Sequence, residues 1–219
     1  KKDAKTLAEY IHQYNYAGKY QDRRDAIEFA AKNISNPLAY QLMEKALSDP
    51  YFRIRAMAIG NFGTAKLTPG TISKIEAIAK NDYHTITRAF AIDALAKLKN
   101  NAYADFFIQS TKDSSYSVAG AALEALSVLD KNKAYTIANE LSKEVNKGRL
   151  LAAITNVIIK TGDESAFDFI TSKFDEMPLS QAKFAAINSL AEFLVKVTNY
   201  DKFKKGVDMI VKFRDEIPK

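Results

Sequence analysis

The stretch "DPYFRIRAMAIGNF", residues 49–62, decides the fold. Within it Ile54, Met57, Ala58 and Phe62 recur at spacings of three and four, as one face of an α-helix requires. Asp49-Pro50 stands ahead as a helix-start signal. Arg55 sets a charge on a face that is otherwise turning apolar. The pair Ala58-Ile59 anchors a repeat: it returns as Ala26-Ile27, Ala91-Ile92, Ala153-Ile154 and Ala186-Ile187, with Ala122-Leu123 in between. The second members lie 32, 33, 31, 31 and 33 residues apart. Three residues beyond each stands another apolar side chain: Ala30, Phe62, Leu95, Leu126, Val157 and Leu190. A nearly constant period of this size marks a stack of like units.

Ahead of each anchor helix the sequence predicts another. "LAYQLMEKALS" (38–48) puts Leu38, Leu42, Ala46 and Leu47 on one side, and "TISKIEAIAK" (71–80) does the same with Ile72, Ile75 and Ile78. "YADFFIQSTK" (103–112), "AYTIANELSKE" (134–144) and "SAFDFITSKFD" (165–175) repeat the pattern. Asn36-Pro37 and Thr68-Pro69, like Asp49-Pro50, read as a capping side chain before a proline at the first helical position. Gly63, Gly70, Gly162 and Pro178 are expected between helices or at their ends.

The units run over about 3–33, 37–65, 69–98, 101–129, 132–161 and 164–198, followed by a capping helix at 200–216 that carries Phe203, Val207, Ile210 and Val211. One such hairpin cannot bury its own apolar faces, whereas stacking makes the core continuous. The expected fold is therefore all-α: one α-α superhelix of about six helical hairpins with a C-terminal cap.

Composition agrees and narrows the function. Gly (8) and Pro (5) are too few for a turn-rich β architecture, and no apolar run approaches the ~18 residues of a membrane span. Cysteine is absent, which removes disulfides and thiolate metal sites. The net charge of +6 comes from 25 lysines against seven arginines, interleaved with 26 acids. Readers of nucleic acid favour arginine, so this basicity reads as a solvated surface. The chain opens Lys1-Lys2-Asp3 without an initiator Met, as expected of a processed chain or a piece of a longer one.

Arg55 also recurs by position. Four residues before each anchor stand Arg23, Arg55, Arg88, Ala119, Leu150 and Lys183; ten before stand Ala17, Asp49, Asp82, Asp113, Glu144 and Met177. An acid in the turn followed by an arginine on the second helix resembles the HEAT repeat. That resemblance implies that the Asp caps the second helix and the Arg bonds to a neighbouring turn. The expected structural ladder comprises Arg23, Asp49, Arg55, Asp82 and Arg88. A carboxylate suits a helix N-terminus, and a guanidinium beside it can bridge several acceptors.

No catalytic constellation emerges. His12 and His84 are about two units apart, and no His-Glu-x-x-His stretch exists, so no metal site is expected. "GNFG" and "TPGT" lack phosphate-loop spacing, and no cofactor site is expected in this chain. Asp163-Glu164 and Asp175-Glu176 are sequence neighbours at helix ends, not opposed carboxylates. Tyr10, Tyr14, Tyr16 and Tyr20 form a candidate contact surface near the start, because interfaces recruit tyrosine.

The opening unit, "LAEYIHQYNYAGKYQDRRDAIEFAAKN" (7–33), followed by residues 49–62, resembles the HEAT-like C-terminal region of bacterial aminopeptidase-N-like zinc peptidases. The resemblance implies a non-catalytic domain packed on the catalytic domain of the same parent chain, with zinc held in that domain, and a periplasmic or secreted location. None of the family's catalytic motifs is present, so no catalytic residue carries over. Two further readings stand beside it: a free-standing HEAT scaffold that holds a protein or peptide partner on its concave face, and a HEAT-like DNA-binding protein.

Overall fold

The computed structural model describes residues 5–63, 66–144, 147–177, 179 and 181–216, leaving aside the side chains of Gln181, Ala182 and Ala185. Among the described residues there are thirteen α-helices and two 3-10 turns, with no strand. Six pairs follow one another: α1 (Leu7–Tyr16) with α2 (Tyr20–Lys32), α3 (Pro37–Ala46) with α4 (Phe52–Asn61), α5 (Pro69–Asn81) with α6 (Thr85–Ala96), α7 (Ala104–Ser110) with α8 (Tyr116–Leu129), α9 (Lys131–Leu141) with α10 (Gly148–Thr161), and α11 (Phe167–Glu176) with α12 (Gln181–Leu194). The closing helix is α13 (Tyr200–Glu216). The edges of the first two units, at residues 3 and 65, and Pro178 lie outside the described residues.

Local chemistry explains where the first helices start. Thr6 and Glu9 form a reciprocal capping box on α1. Asn36 and Thr68 cap α3 and α5, each with proline at the first helical position, where a missing N–H costs nothing. Asp130 accepts from the Lys133 amide to open α9. Before α7 and α11 the chain makes a 3-10 turn, at Asn101–Tyr103 and Glu164–Ala166, started by Asn100 and Asp163.

The anchors set the register of packing. Ala26, Ile27, Ala58, Ile59, Ala91, Ile92, Ala122, Leu123, Ala153 and Ile154 are all buried, and Ala186 and Ile187 are half-buried. Small alanines let successive second helices approach. Helices α4, α6, α8 and α10 pack on one another in sequence, with α8 pressed closely against both α6 and α10, while the first helices of successive units touch sparsely. The stack therefore closes on the side of its second helices, which become the inner face of the superhelix. Gly120 makes the tightest step: a Cβ there would lie 2.7 Å from the backbone carbon of Arg149.

Three expectations need correction. Leu38, placed by its spacing with the buried face of α3, is exposed, because that face is completed by Ala39 and Met43. On α13, Phe203 and Val211 are exposed, whereas Gly206 and Phe213 are buried; Gly206 is small enough to lie against Leu194. Gly70 sits inside the first turn of α5, because Thr68 and Pro69 already start the helix.

Candidate functional site

Arginines climb the inner stack from turn to turn. Arg23 Nε lies 3.2 Å from Asp49 Oδ2. Arg55 grips the Asp82 carboxylate with two parallel bonds, Nε to Oδ2 at 2.6 Å and NH2 to Oδ1 at 2.8 Å. Arg88 NH2 reaches Asp113 Oδ2 at 2.9 Å. Each arginine also donates to the carbonyl six residues before it: Arg23 to Ala17, Arg55 to Asp49, Arg88 to Asp82. One side chain thus satisfies its own turn and clamps the next. The guanidinium of Arg55 lies over the Tyr83 ring, and its bonds to Asp82 outweigh its burial and hold its pKa above the usual arginine value.

The acids do not cap as the Asp-Pro signal implied. Helix α4 begins at Phe52 with Tyr51 as its N-cap residue. Asp49 sits two positions earlier, and its Oδ1 accepts from the Tyr51 amide at 2.8 Å. Asp82 and Asp113 repeat this turn with the amides of His84 and Ser115. The turn does not depend on Pro50, since Tyr83 and Ser114 follow Asp82 and Asp113; in each case the short carboxylate folds back onto the amide two residues on, an Asx-turn.

The rungs stop at Asp113. Ala119 and Leu150, which occupy the arginine position of the next two units, are buried apolar side chains. Lys183 takes the position again in the sixth unit and donates to the Met177 carbonyl, once more six residues back. Lys196 donates to the carbonyls of Ile159, Lys160 and Gly162, closing the C-terminal end of α10.

A second charged cluster went unseen in the sequence. Arg149 on α10 holds Asp93 of α6, with NH1 to Oδ2 at 2.9 Å, and Glu124 of α8, with Nε to Oε2 at 3.1 Å. Burial opposes the charge of Arg149, and the two carboxylates outweigh it, so its pKa is raised. These residues lie 56 and 25 positions from Arg149 and off the ladder register, so no repeat pattern exposes them.

The four tyrosines of the first unit do not share a surface. Tyr16 is 77% exposed, but Tyr14 is buried and donates to Asp49 Oδ2 at 2.8 Å, joining the first rung. Tyr10 stacks on Phe29 and Tyr20 packs edge-on against Tyr51. Helical spacing turns them to different sides of α1 and α2. The histidines are likewise apart: His12 lies against Tyr16 and His84 stacks on Phe52. Among the described residues no group of three or more His, Asp or Glu could hold a metal ion.

Two openings lie beside the second helices. A shallow groove of about 520 Å³ runs between α4 and α6, walled by Phe52, Arg53, Met57, Ile86 and Phe90 with Gly60 at its floor. A deeper, mainly apolar cleft of about 570 Å³ lies among α10, α11 and α12, with the paired Lys173 and Glu176 at its rim.

No family model matches the chain, and no curated protein matches it. A solved structure it resembles is human deoxyhypusine hydroxylase in complex with glycerol, at 10% identity and a TM-score of 0.47, covering 96% of each chain. The stacked helical pairs themselves make the chain a HEAT-like helical solenoid. The resemblance to aminopeptidase-N-like zinc peptidases is withdrawn, since no family model and no curated protein, a peptidase included, matches the chain. The residues that carried it have general packing duties: Gln13 donates to the Asp22 carbonyl, Tyr14 to Asp49, and Arg23 pairs with Asp49. The implied parent catalytic domain, its zinc and the periplasmic or secreted location rested on that resemblance alone. Among the described residues no helix is long and apolar enough to cross a membrane.

Proposed function

We propose that this chain is a helical-repeat scaffold that works by holding a segment of another protein against the face built from its second helices. The observation that carries the reading is that this face is closed and rigid in its packing yet leaves large apolar side chains open: Ile86 and Phe90 are 43% and 42% exposed beside one another on α6. A solenoid buries its apolar surface between units, so apolar side chains left open on the inner face stand ready for a partner. The arginine rungs hold the register of the face and take no part in contact, because their forks are consumed within the chain. The reading assigns the chain no cofactor and no reaction of its own.

Nucleic acid fits this face less well. Six of the seven arginines pair with carboxylates of the same chain, and a phosphate backbone would have to compete with them. The test is affinity capture from cell extract, reconstitution with the purified partner, and hydrogen-exchange mapping of the complex. Protection along α4, α6, α8 and α10 is expected. Protection confined to the first helices, or a partner that proves to be nucleic acid with binding lost steeply as salt is added, overturns the reading.

A further inference from the structure

The groove between α4 and α6 is distinguished by a charge with nothing to answer it. Among the described residues Arg53 is the one arginine without a carboxylate partner; its guanidinium lies only over its own neighbour, the Phe52 ring, at 5.7 Å. It is exposed and stands at the wall of the apolar groove. Helix α4 carries no acid. The one acid of α6, Asp93, is already engaged by Arg149, and Asp82 in the turn before α6 by Arg55. The field over the groove is therefore positive, set by one guanidinium beside apolar side chains.

We propose that this groove docks a short acidic-apolar segment of a protein partner. A carboxylate of that segment pairs with Arg53, and a large apolar side chain enters between Met57, Ile86 and Phe90. The inference rests on the scaffold reading and gives it a place and a partner chemistry. Gly60 makes the depth: a Cβ there would come 3.3 Å from the Phe90 ring, so any larger residue would crowd the floor. The charge supplies orientation and rejection of basic segments, while the apolar side chain supplies the buried area. The larger cleft among α10, α11 and α12 lacks this signature, since its rim charges Lys173 and Glu176 answer one another.

The experiment is a selection of random 12-residue peptides, displayed on phage, against the full chain and in parallel against Arg53→Glu. Glutamate in the first turn of α4 suits the helix dipole, so the variant is expected to keep its fold, checked by circular dichroism. Peptides enriched on the wild type should carry Asp or Glu within four residues of Phe, Leu, Ile or Met. Their Kd should rise on the order of tenfold or more on Arg53→Glu, and a Lys-for-acid peptide should recover binding to that variant. Hydrogen exchange should place the peptide on α4 and α6. Peptides that bind both proteins equally, or that protect another part of the inner face, overturn the groove and leave the scaffold reading standing. Failure to enrich any peptide over an unrelated control protein also overturns the groove, and the scaffold reading is then judged by its own partner reconstitution.

Discussion

Removing Arg55 should be among the most damaging single changes to this chain. The side chains of Arg55 and Asp82 are 6% and 5% exposed, so the pair is withdrawn from water. Arg55→Ala strands the Asp82 carboxylate with little beyond the His84 amide, and leaves the Asp49 carbonyl without its arginine donor, while the Pro50 carbonyl keeps the Tyr83 hydroxyl. Breaking a buried pair by deleting one partner costs about 3–5 kcal/mol, because the surviving charge stays desolvated. Arg55→Lys keeps the charge but loses the two-pronged grip, so it should fall between alanine and wild type. The assay is equilibrium urea denaturation followed by circular dichroism, read as a lower midpoint at unchanged slope. Combining Arg55→Met with Asp82→Leu should be less damaging than the sum of the two single changes, by about 1–3 kcal/mol. Because the pair is buried, the loss should vary little with added salt. An unchanged midpoint for Arg55→Ala, or a lysine variant as stable as wild type, would refute the argument.

Gly120→Ala pushes a methyl into the backbone of Arg149, so α8 and α10 must part; a loss of about 1–3 kcal/mol is expected in thermal melting, and an unchanged melt would mean that the step is loose. Ile92→Ala empties a fully buried site on α6 and should cost roughly 2–5 kcal/mol by denaturant midpoint. Glu164 accepts from the Thr198 hydroxyl and from the amides of Thr198 and Asn199 at the start of α13; these bonds to Thr198 first, then to Asn199, lower its pKa. A carboxyl whose folded pKa is depressed stabilises fully above its ordinary range and loses that contribution as pH falls through the lower, folded value. The protection factors of the Thr198 and Asn199 amides, taken against intrinsic exchange at each pH, should therefore fall in acid, and Glu164→Gln should abolish this acid dependence.

The fold was legible because the information was periodic. An Ala-Ile pair returning every unit, with an apolar residue three beyond, states both the helix face and the stacking register, and the structure buries five of the six pairs. The limits were local. Asp49-Pro50 and Asn36-Pro37 look alike in one dimension, yet Asn36 caps its helix and Asp49 folds over a turn two residues earlier; what separates them is the next-door arginine and tyrosine that claim Asp49 from other units. Position marked the arginines, and the bond expected to a neighbouring turn is the one Arg55 makes to Asp82; its further bond to the Asp49 carbonyl of its own turn was not legible. The cluster of Arg149, Asp93 and Glu124 could not be read, since the two acids follow their anchors Ile92 and Leu123 but Arg149 stands five before its own, and the three meet only once α6, α8 and α10 are side by side. Arg53 stood out only by subtraction, after every other arginine had found its acid.

The ladder's end at Asp113 divides the stack mechanically. From the first unit to the fourth, each turn is bolted to the next by a guanidinium whose bonds are short and directional. Beyond it Arg149 still ties the fifth unit to the third and fourth, whereas the sixth unit is held to the fifth by apolar contact and by Lys196, whose single ammonium grips without fixing an angle. A solenoid is a spring, and this one has a stiff length and a pliant one. Pulled along its axis, it should open first among α10, α11 and α12, while the bolted length that carries the α4–α6 groove keeps its shape under load.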